Sequence, residues 1–138
     1  MRLHYKVREN ETIQYLDVVS LYPYICKNFI FPIGHPRIQV GDTCKDVEAC
    51  LRMDGLIKCT IVPPQKLYHP VLRYRCNKKL IFCLCRTCLE TCSTGDCTHT
   101  EEAERALTGT CVMVEVRLAV EKGYRILEIN EDYEYQFT

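Results

Sequence analysis

The first patterned stretch is Ile13-Gln14-Tyr15-Leu16-Asp17-Val18-Val19. It is β-branched and aromatic, and it predicts a strand. Ser20 to Asn28 then predicts a short helix. Ser20 stands at the cap position, and Pro23 falls in the first turn, where a missing N–H costs nothing. Two prolines and a glycine in Phe31-Pro32-Ile33-Gly34-His35-Pro36 predict irregular chain. Residues 41–54 are polar and predict a loop with a short helix. Gly55 to Val62 alternates as a strand and ends at Pro63-Pro64. Lys79 to Cys83 predicts a short strand, and Gly109 to Val114 an extended one. Glu115 to Lys122 has helical spacing, closed by Gly123 at the C-cap. Tyr124 to Phe137 alternates again and predicts a last strand. No repeat, low-complexity tract or linker interrupts the pattern, which is that of one α+β unit or part of one.

Composition narrows the class. The 138 residues are 47% hydrophobic and 26% charged, as in ordinary globular proteins. A chain of this length buries roughly two-thirds of its unfolded surface. Lys+Arg and Asp+Glu both number 18, so the formal charge is zero. Neutrality argues against a stand-alone nucleic-acid binder, which usually carries a basic excess, but it admits one piece of a larger nucleic-acid enzyme. The start, MRLHYKVREN, is too polar for a signal peptide, and no apolar run approaches the ~20 residues needed to span a bilayer. The expectation is an intracellular chain, neither secreted nor membrane-bound, with the compartment (nucleus or organelle) left open.

Cysteine is the outlier, with 11 residues. Without a secretory signal a disulfide framework is not expected, and clustered cysteines point to metal. Cys26, Cys44, Cys50, Cys59, Cys76 and Cys111 are scattered and read as small buried hydrophobes. Cys85-x2-Cys88-x8-Cys97-x-His99 is clustered. A C-x-x-C turn sets two thiolates on one side, and a second pair completes a tetrahedron suited to structural Zn²⁺. Gly95 and Asp96 allow the chain to turn back. Four protein ligands leave no open position, so the role is folding rather than catalysis. Cys83 and Cys92 are surplus thiols in the same segment. Free thiols in a degenerating copy are the competing reading.

Asp17 is out of place at the end of an apolar strand. A dry, unpaired carboxylate there costs several kcal/mol. A divalent cation, a helix cap or a buried arginine would each resolve it, and read alone the residue simply starts a turn. The seven positions Asp17-Val18-Val19-Ser20-Leu21-Tyr22-Pro23, however, resemble motif A of family B DNA polymerases, D-x-x-S-L-Y-P. The resemblance continues through Tyr24–Lys27, Phe31–Pro36, Gly55–Cys59 and Leu67–Leu72, and resumes at Glu104–Thr110 and Glu121–Leu127. It is to the protein-primed, organellar, viral and transposon (Polinton-like) type and covers nearly the whole chain. It implies an α+β fold that is part of a polymerase palm, an antiparallel or mixed sheet with flanking helices. Residues 1–138 would form a single partial palm domain, with motif A at 17–23 and a zinc-knuckle-like insertion at 83–100.

The resemblance also assigns roles. Asp17 is implied as one of two palm carboxylates holding Mg²⁺, with the Val18 carbonyl as a further ligand. Such sites place two ions about 3.5–4 Å apart for an in-line displacement. The amides of Leu21 and Tyr22, in the turn that Ser20 opens, would face the incoming triphosphate at a helix N-terminus. The Tyr22 ring would pack under the nucleotide sugar and select deoxynucleotides. The relatives' C-R-T-C and C-x-H elements match Cys85, Cys88, Cys97 and His99. Partners implied are a DNA template-primer, a deoxynucleoside triphosphate and the remaining palm, fingers and thumb.

Three expected features do not occur in these residues: the Tyr-x-Asp-Thr-Asp hairpin with the second carboxylate, the fingers lysine motif, and the exonuclease carboxylates. One carboxylate cannot hold two metals in a working geometry, so the chain is expected to be a palm fragment, inactive alone. A palm sheet without its later strands exposes an edge and an apolar face, which predicts marginal stability or self-association. A non-catalytic zinc-binding interaction module derived from a mobile-element polymerase is the alternative. A side chain at position 17 turned to solvent, away from any cleft, would reduce the polymerase reading to likeness of sequence.

Lesser signals read as structural. Arg73, Arg75, Lys78 and Lys79 around Tyr74 suit a solvated hairpin tip, with nucleic-acid phosphate contact as the alternative. His35 and His69 precede prolines and suit turn caps. Glu101, Glu102 and Glu104 suit a solvated helix start, and Glu131, Asp132 and Glu134 an exposed strand face. Two departures from the relatives stand out: Cys111 where they carry Trp, and the polar Asn130–Tyr133.

Overall fold

The computed structural model describes residues 6–7, 9–44 and 46–138. Most of the polar start, residues 1–5 and 8, lies outside them. The chain groups into two compact units, Met1–Phe31 and Pro32–Thr138.

In the first unit every described residue is exposed, and the regular element is α1 (Leu21–Asn28). Residues 13–18 form no strand, against expectation. Their composition favours extended chain, but a strand needs a ladder partner, and none of the described strands pairs with them. Ser20 does occupy the cap position of α1. It does so in the left-handed region (φ 58, ψ 35), and its side chain makes no cap bond.

The second unit is mixed α+β. Its sheet contains β1 (Pro32–Val40), β2 (Gly55–Val62), β5 (Leu107–Val112) and β6 (Arg125–Phe137), in the order β1-β6-β2-β5, every pair antiparallel. The thirteen-residue β6 lies between β1 and β2. β1 corrects the expectation of irregular chain at 31–36. Gly34, His35 and Pro36 lie opposite the single Tyr135, so the strand absorbs its glycine (φ 70) and second proline as a bulge. Tyr135 N–H turns instead to the Asp54 carbonyl, at 3.0 Å.

β2 follows the sequence closely. It buries Ile57, Cys59 and Ile61, the period-two set, and ends at Pro63. β5 adds Leu107 and Cys111 to this face. α5 (Met113–Glu121) buries Met113, Val116 and Ala119 at three-residue spacing. It starts two residues earlier than expected, so Met113 and Val114 are helical, not extended. Gly123 (φ 92) ends it, and the Tyr124 N–H closes back on Ala119 O at 3.0 Å. Tyr124 itself precedes β6; its buried hydroxyl accepts from Val71 N–H at 3.0 Å.

A 3-10 turn (Gly41–Cys44) and α2 (Val47–Arg52) bring Cys44 and Cys50 into the core. Cys26, in contrast, is exposed on α1, and none of the described residues of that unit is buried. Arg117 of α5 donates to Leu51 O and Met53 O, both at 3.1 Å, and pairs with Asp54 at 2.7 Å, which ties α2 to α5. A separate hairpin, β3 (Arg73–Cys76) and β4 (Lys79–Phe82), turns at Asn77 and Lys78, both at positive φ. This is the expected basic hairpin tip, but Arg73 leaves it to pair with Glu115 at 2.6 Å. The short helices α3 (Arg86–Glu90) and α4 (Glu102–Arg105) come after β4.

Candidate functional site

Cys85 is the cap residue of α3 and Cys88 lies in its first turn, so a C-x-x-C spacing becomes one helical turn. The chain then reverses. Cys92 takes the left-handed region (φ 53), and Ser93 N–H closes back on Cys88 O at 2.9 Å. The return brings Cys97 and His99 to the first pair, and the four ligand atoms lie within 4.8 Å of one another. His99 Nδ1 stands 3.6, 3.3 and 3.7 Å from the sulfurs of Cys85, Cys88 and Cys97. Zn–S bonds of about 2.3 Å and a Zn–N bond of about 2.0–2.1 Å, at a tetrahedral angle, require a separation of about 3.6 Å. The spacing seen in the sequence is thus a converged Cys3His cluster that could hold a metal such as zinc.

The electrostatics fit the same use. Hydrogen bonding from His99 draws the Cys97 thiol down to about 7. Burial, and then the neighbouring Cys97 and Cys85 thiols, push Cys88 up to about 12. Thiols this close cannot all ionise together unless a cation sits among them. Cys85 is buried, Cys88 and His99 half-buried, and Cys97 exposed, so the cluster opens toward solvent on one side. Cys83 and Cys92 line a cavity of about 350 Å³ with Cys85, Cys88 and Cys97, but stand outside the ligand set.

Side-chain hydrogen bonds tie the cluster to α4. Arg86 Nη2 donates to Ala103 O at 2.8 Å, and Thr87 Oγ1 donates to Glu104 O at 2.7 Å. These carbonyls belong to α4, whose own hydrogen bonds are few because it is one turn long. Arg125 pairs with Glu102 at the start of the same turn. The Arg105 side chain is buried beside the cluster, and nothing in the sequence singles it out. An arginine next to acidic residues carries no mark of burial.

The motif segment has a different character. Asp17 and Val18 are exposed in irregular chain. Leu21 and Tyr22 open α1, and the Tyr22 ring is 82% exposed. Their amides occupy the first helical positions, where N–H groups have no partner within the helix. Ser20 contributes its carbonyl to Tyr24 N–H at 3.0 Å. Among the described residues the Cys3His cluster is the metal-competent group of histidines, cysteines and carboxylates, and it does not include Asp17.

Asp132 overturns another expectation. It is 1% exposed rather than on a solvated strand face. β6 pairs it with Ile57 of β2 and Gln39 of β1, which turns it to the core side. Cys50 donates to its Oδ2 at 3.8 Å, while its Oδ1 is buried without a partner. Glu131, on the other face, is half-buried. It pairs with Lys58 at 2.8 Å and accepts from the Tyr133 hydroxyl, and both bonds hold its carboxyl below the usual range.

Fold and cluster together define a mixed α+β protein built on an antiparallel sheet, with a Cys3His centre stitched to its edge. Residues 2–138 match the family described as DNA polymerase type B, organellar and viral, and the chain belongs to that family. Membership implies DNA and nucleotide substrates and further polymerase domains. No curated protein and no solved structure matches the chain. No helix among the described residues is long and apolar enough to cross a membrane.

Proposed function

We propose that the chain supplies motif A of a family B DNA polymerase palm and serves template-directed deoxynucleotidyl transfer. One observation carries this: Asp17-Val-Val-Ser20-Leu21-Tyr22-Pro23 ends in a helix N-terminus, inside a chain that matches the polymerase family throughout. The Asp17 carboxylate and the Val18 carbonyl are hard oxygen donors, the kind Mg²⁺ takes. Asp17 and Val18 would hold such ions, which would supply charge neutralisation for the transfer of the phosphoryl group. The Leu21 and Tyr22 amides orient the triphosphate, and the Tyr22 ring sits under the sugar and excludes a 2′-hydroxyl. The exposure of this segment suits residues that complete their surroundings with DNA, nucleotide and the second carboxylate.

The chain by itself does not polymerise, because no Asp-x-Asp occurs in its 138 residues. Primer extension tests both statements. The isolated chain gives no incorporation. Joined to a palm and fingers region that supplies the second carboxylate and the lysine, it does, and Asp17→Ala lowers the rate about a thousandfold or more. Incorporation that survives Asp17→Ala overturns the assignment.

Cys85, Cys88, Cys97 and His99 bind structural Zn²⁺ in this reading, and the 3.3–3.7 Å separations support it. Zinc content below about half an equivalent in purified protein defeats it. The second reading, a non-catalytic zinc-binding interaction module, is favoured by the contrast between a converged cluster and an exposed Asp17. A reading frame that continues into the fingers lysine and Tyr-x-Asp-Thr-Asp decides for the enzyme, and a stop before them decides for the module.

A further inference from the structure

Arg105 closes α4 with its side chain turned inward, and the residue is 5% exposed. Its Nη2 donates to Pro63 O at 2.9 Å, Pro64 O at 2.8 Å and Leu84 O at 3.2 Å. Pro63 and Pro64 come directly after β2, and Leu84 directly precedes Cys85. The guanidinium thus joins the end of a sheet strand, the first residue before the cluster and the start of β5. No carboxylate among the described residues pairs with it, and its Nε is buried without a partner. A guanidinium cannot shed its proton, so the charge stays in the interior. Carbonyl dipoles offset only part of that cost.

Arg105 lines a cavity of about 330 Å³ together with Lys66, Asp96, Cys97 and His99. Asp96 is exposed, so its charge is screened by water. Lys66 is exposed as well, so its charge is screened in the same way and the buried guanidinium is the unscreened charge of the group. Three thiolates and a neutral imidazole around a divalent cation carry one net negative charge. That is the countercharge the buried guanidinium lacks.

We propose that Arg105 is the positioning residue through which metal in the Cys3His centre orders the sheet. The loaded centre holds the guanidinium, and the guanidinium holds the end of β2 and the start of β5. The coupling is reciprocal: if metal stabilises the clasp, the clasp raises metal affinity by the same factor. The proposal rests on the metal reading above.

Cobalt(II) titration of the full chain tests both, because thiolate-to-cobalt absorption reports the ligand set directly. Arg105→Gln, which keeps donors but removes the charge, weakens cobalt about tenfold or more, while Arg105→Lys retains most of the affinity. Equal weakening by Gln and Lys, or none, overturns the clasp and leaves the metal centre standing. Absence of the thiolate band in the wild-type chain overturns both. If Arg105→Gln does not fold, hydrogen exchange on the wild-type chain replaces it. Zinc then slows exchange at Ile61, Val62, Leu107 and Thr108 as well as within 85–100. Protection confined to 85–100 refutes the proposal.

Discussion

Asp132 shows how a single residue can sit against the grain of its surroundings. A carboxylate with one oxygen unpartnered in the core, held by thiols rather than a cation, is costly. Burial, and then the charge of Asp132, push the Cys50 thiol up to about 11. Asp132→Asn keeps an oxygen for Cys50 and removes the charge, so the denaturant midpoint rises by the equivalent of about 1–2 kcal/mol. Gly55 is the opposite case, a residue the backbone cannot replace. A Cβ there would collide with the Tyr133 carbonyl across the ladder. Gly55→Ala forces β2 and β6 apart and costs about 2–3 kcal/mol, read as a lowered melting temperature. Cys97, drawn down to about 7, is thiolate above that pH and thiol below it. In metal-free protein iodoacetamide alkylates Cys97 about five- to tenfold more slowly at pH 6 than at pH 7.5. Zinc protects it, exposed Cys26 and Cys92 serve as comparison, and Cys59, raised to about 12 by burial, stays unmodified.

Among the elements, the β3–β4 hairpin carries its own strain. Asn77 and Lys78 both sit at positive φ, as a two-residue primed turn demands. Asn tolerates this region; Lys does not. Lys78→Gly relieves it and raises stability by about 0.5–1 kcal/mol, measured by chemical denaturation. The same physics explains β1. A two-proline stretch forms a strand because its bulge places Pro36 where no ladder N–H is required. The helices α3 and α4 are too short to persist alone, and side-chain bonds from Arg86 and Thr87 hold them together.

At the scale of the whole molecule, apolar surface is the dominant liability. The motif segment exposes Tyr15, Leu16, Val19 and Tyr22, each more than 80%. Ile38, Val40 and Val112 are exposed on the outer strands of the sheet, which lack a further partner among the described residues. Gel filtration of the isolated chain gives concentration-dependent assemblies; a sharp, reversible monomeric melt refutes this. Adding the polymerase region that supplies the second carboxylate shifts the chain toward a single species.

Local features were already legible in the order of residues. β2, α5, its Gly123 stop and β6 are written in short-range periodicity and capping. The Cys85–His99 spacing predicted a four-ligand turn, and the ligand atoms do converge. Asp17–Pro23 pointed to the polymerase family, to which the chain belongs. Packing settled whatever depends on a distant partner. Residues 13–18 form no strand because none of the described strands pairs with them, and 32–40 form one because β6 accepts them. Asp132 is buried because pairing to Ile57 and Gln39 turns it inward, and Arg105 because chain ends far apart in sequence meet around it. Periodicity records which side of an element faces apolar neighbours. It holds no record of which carbonyl or thiol from elsewhere will surround a charge, and that is fixed only when the elements come together.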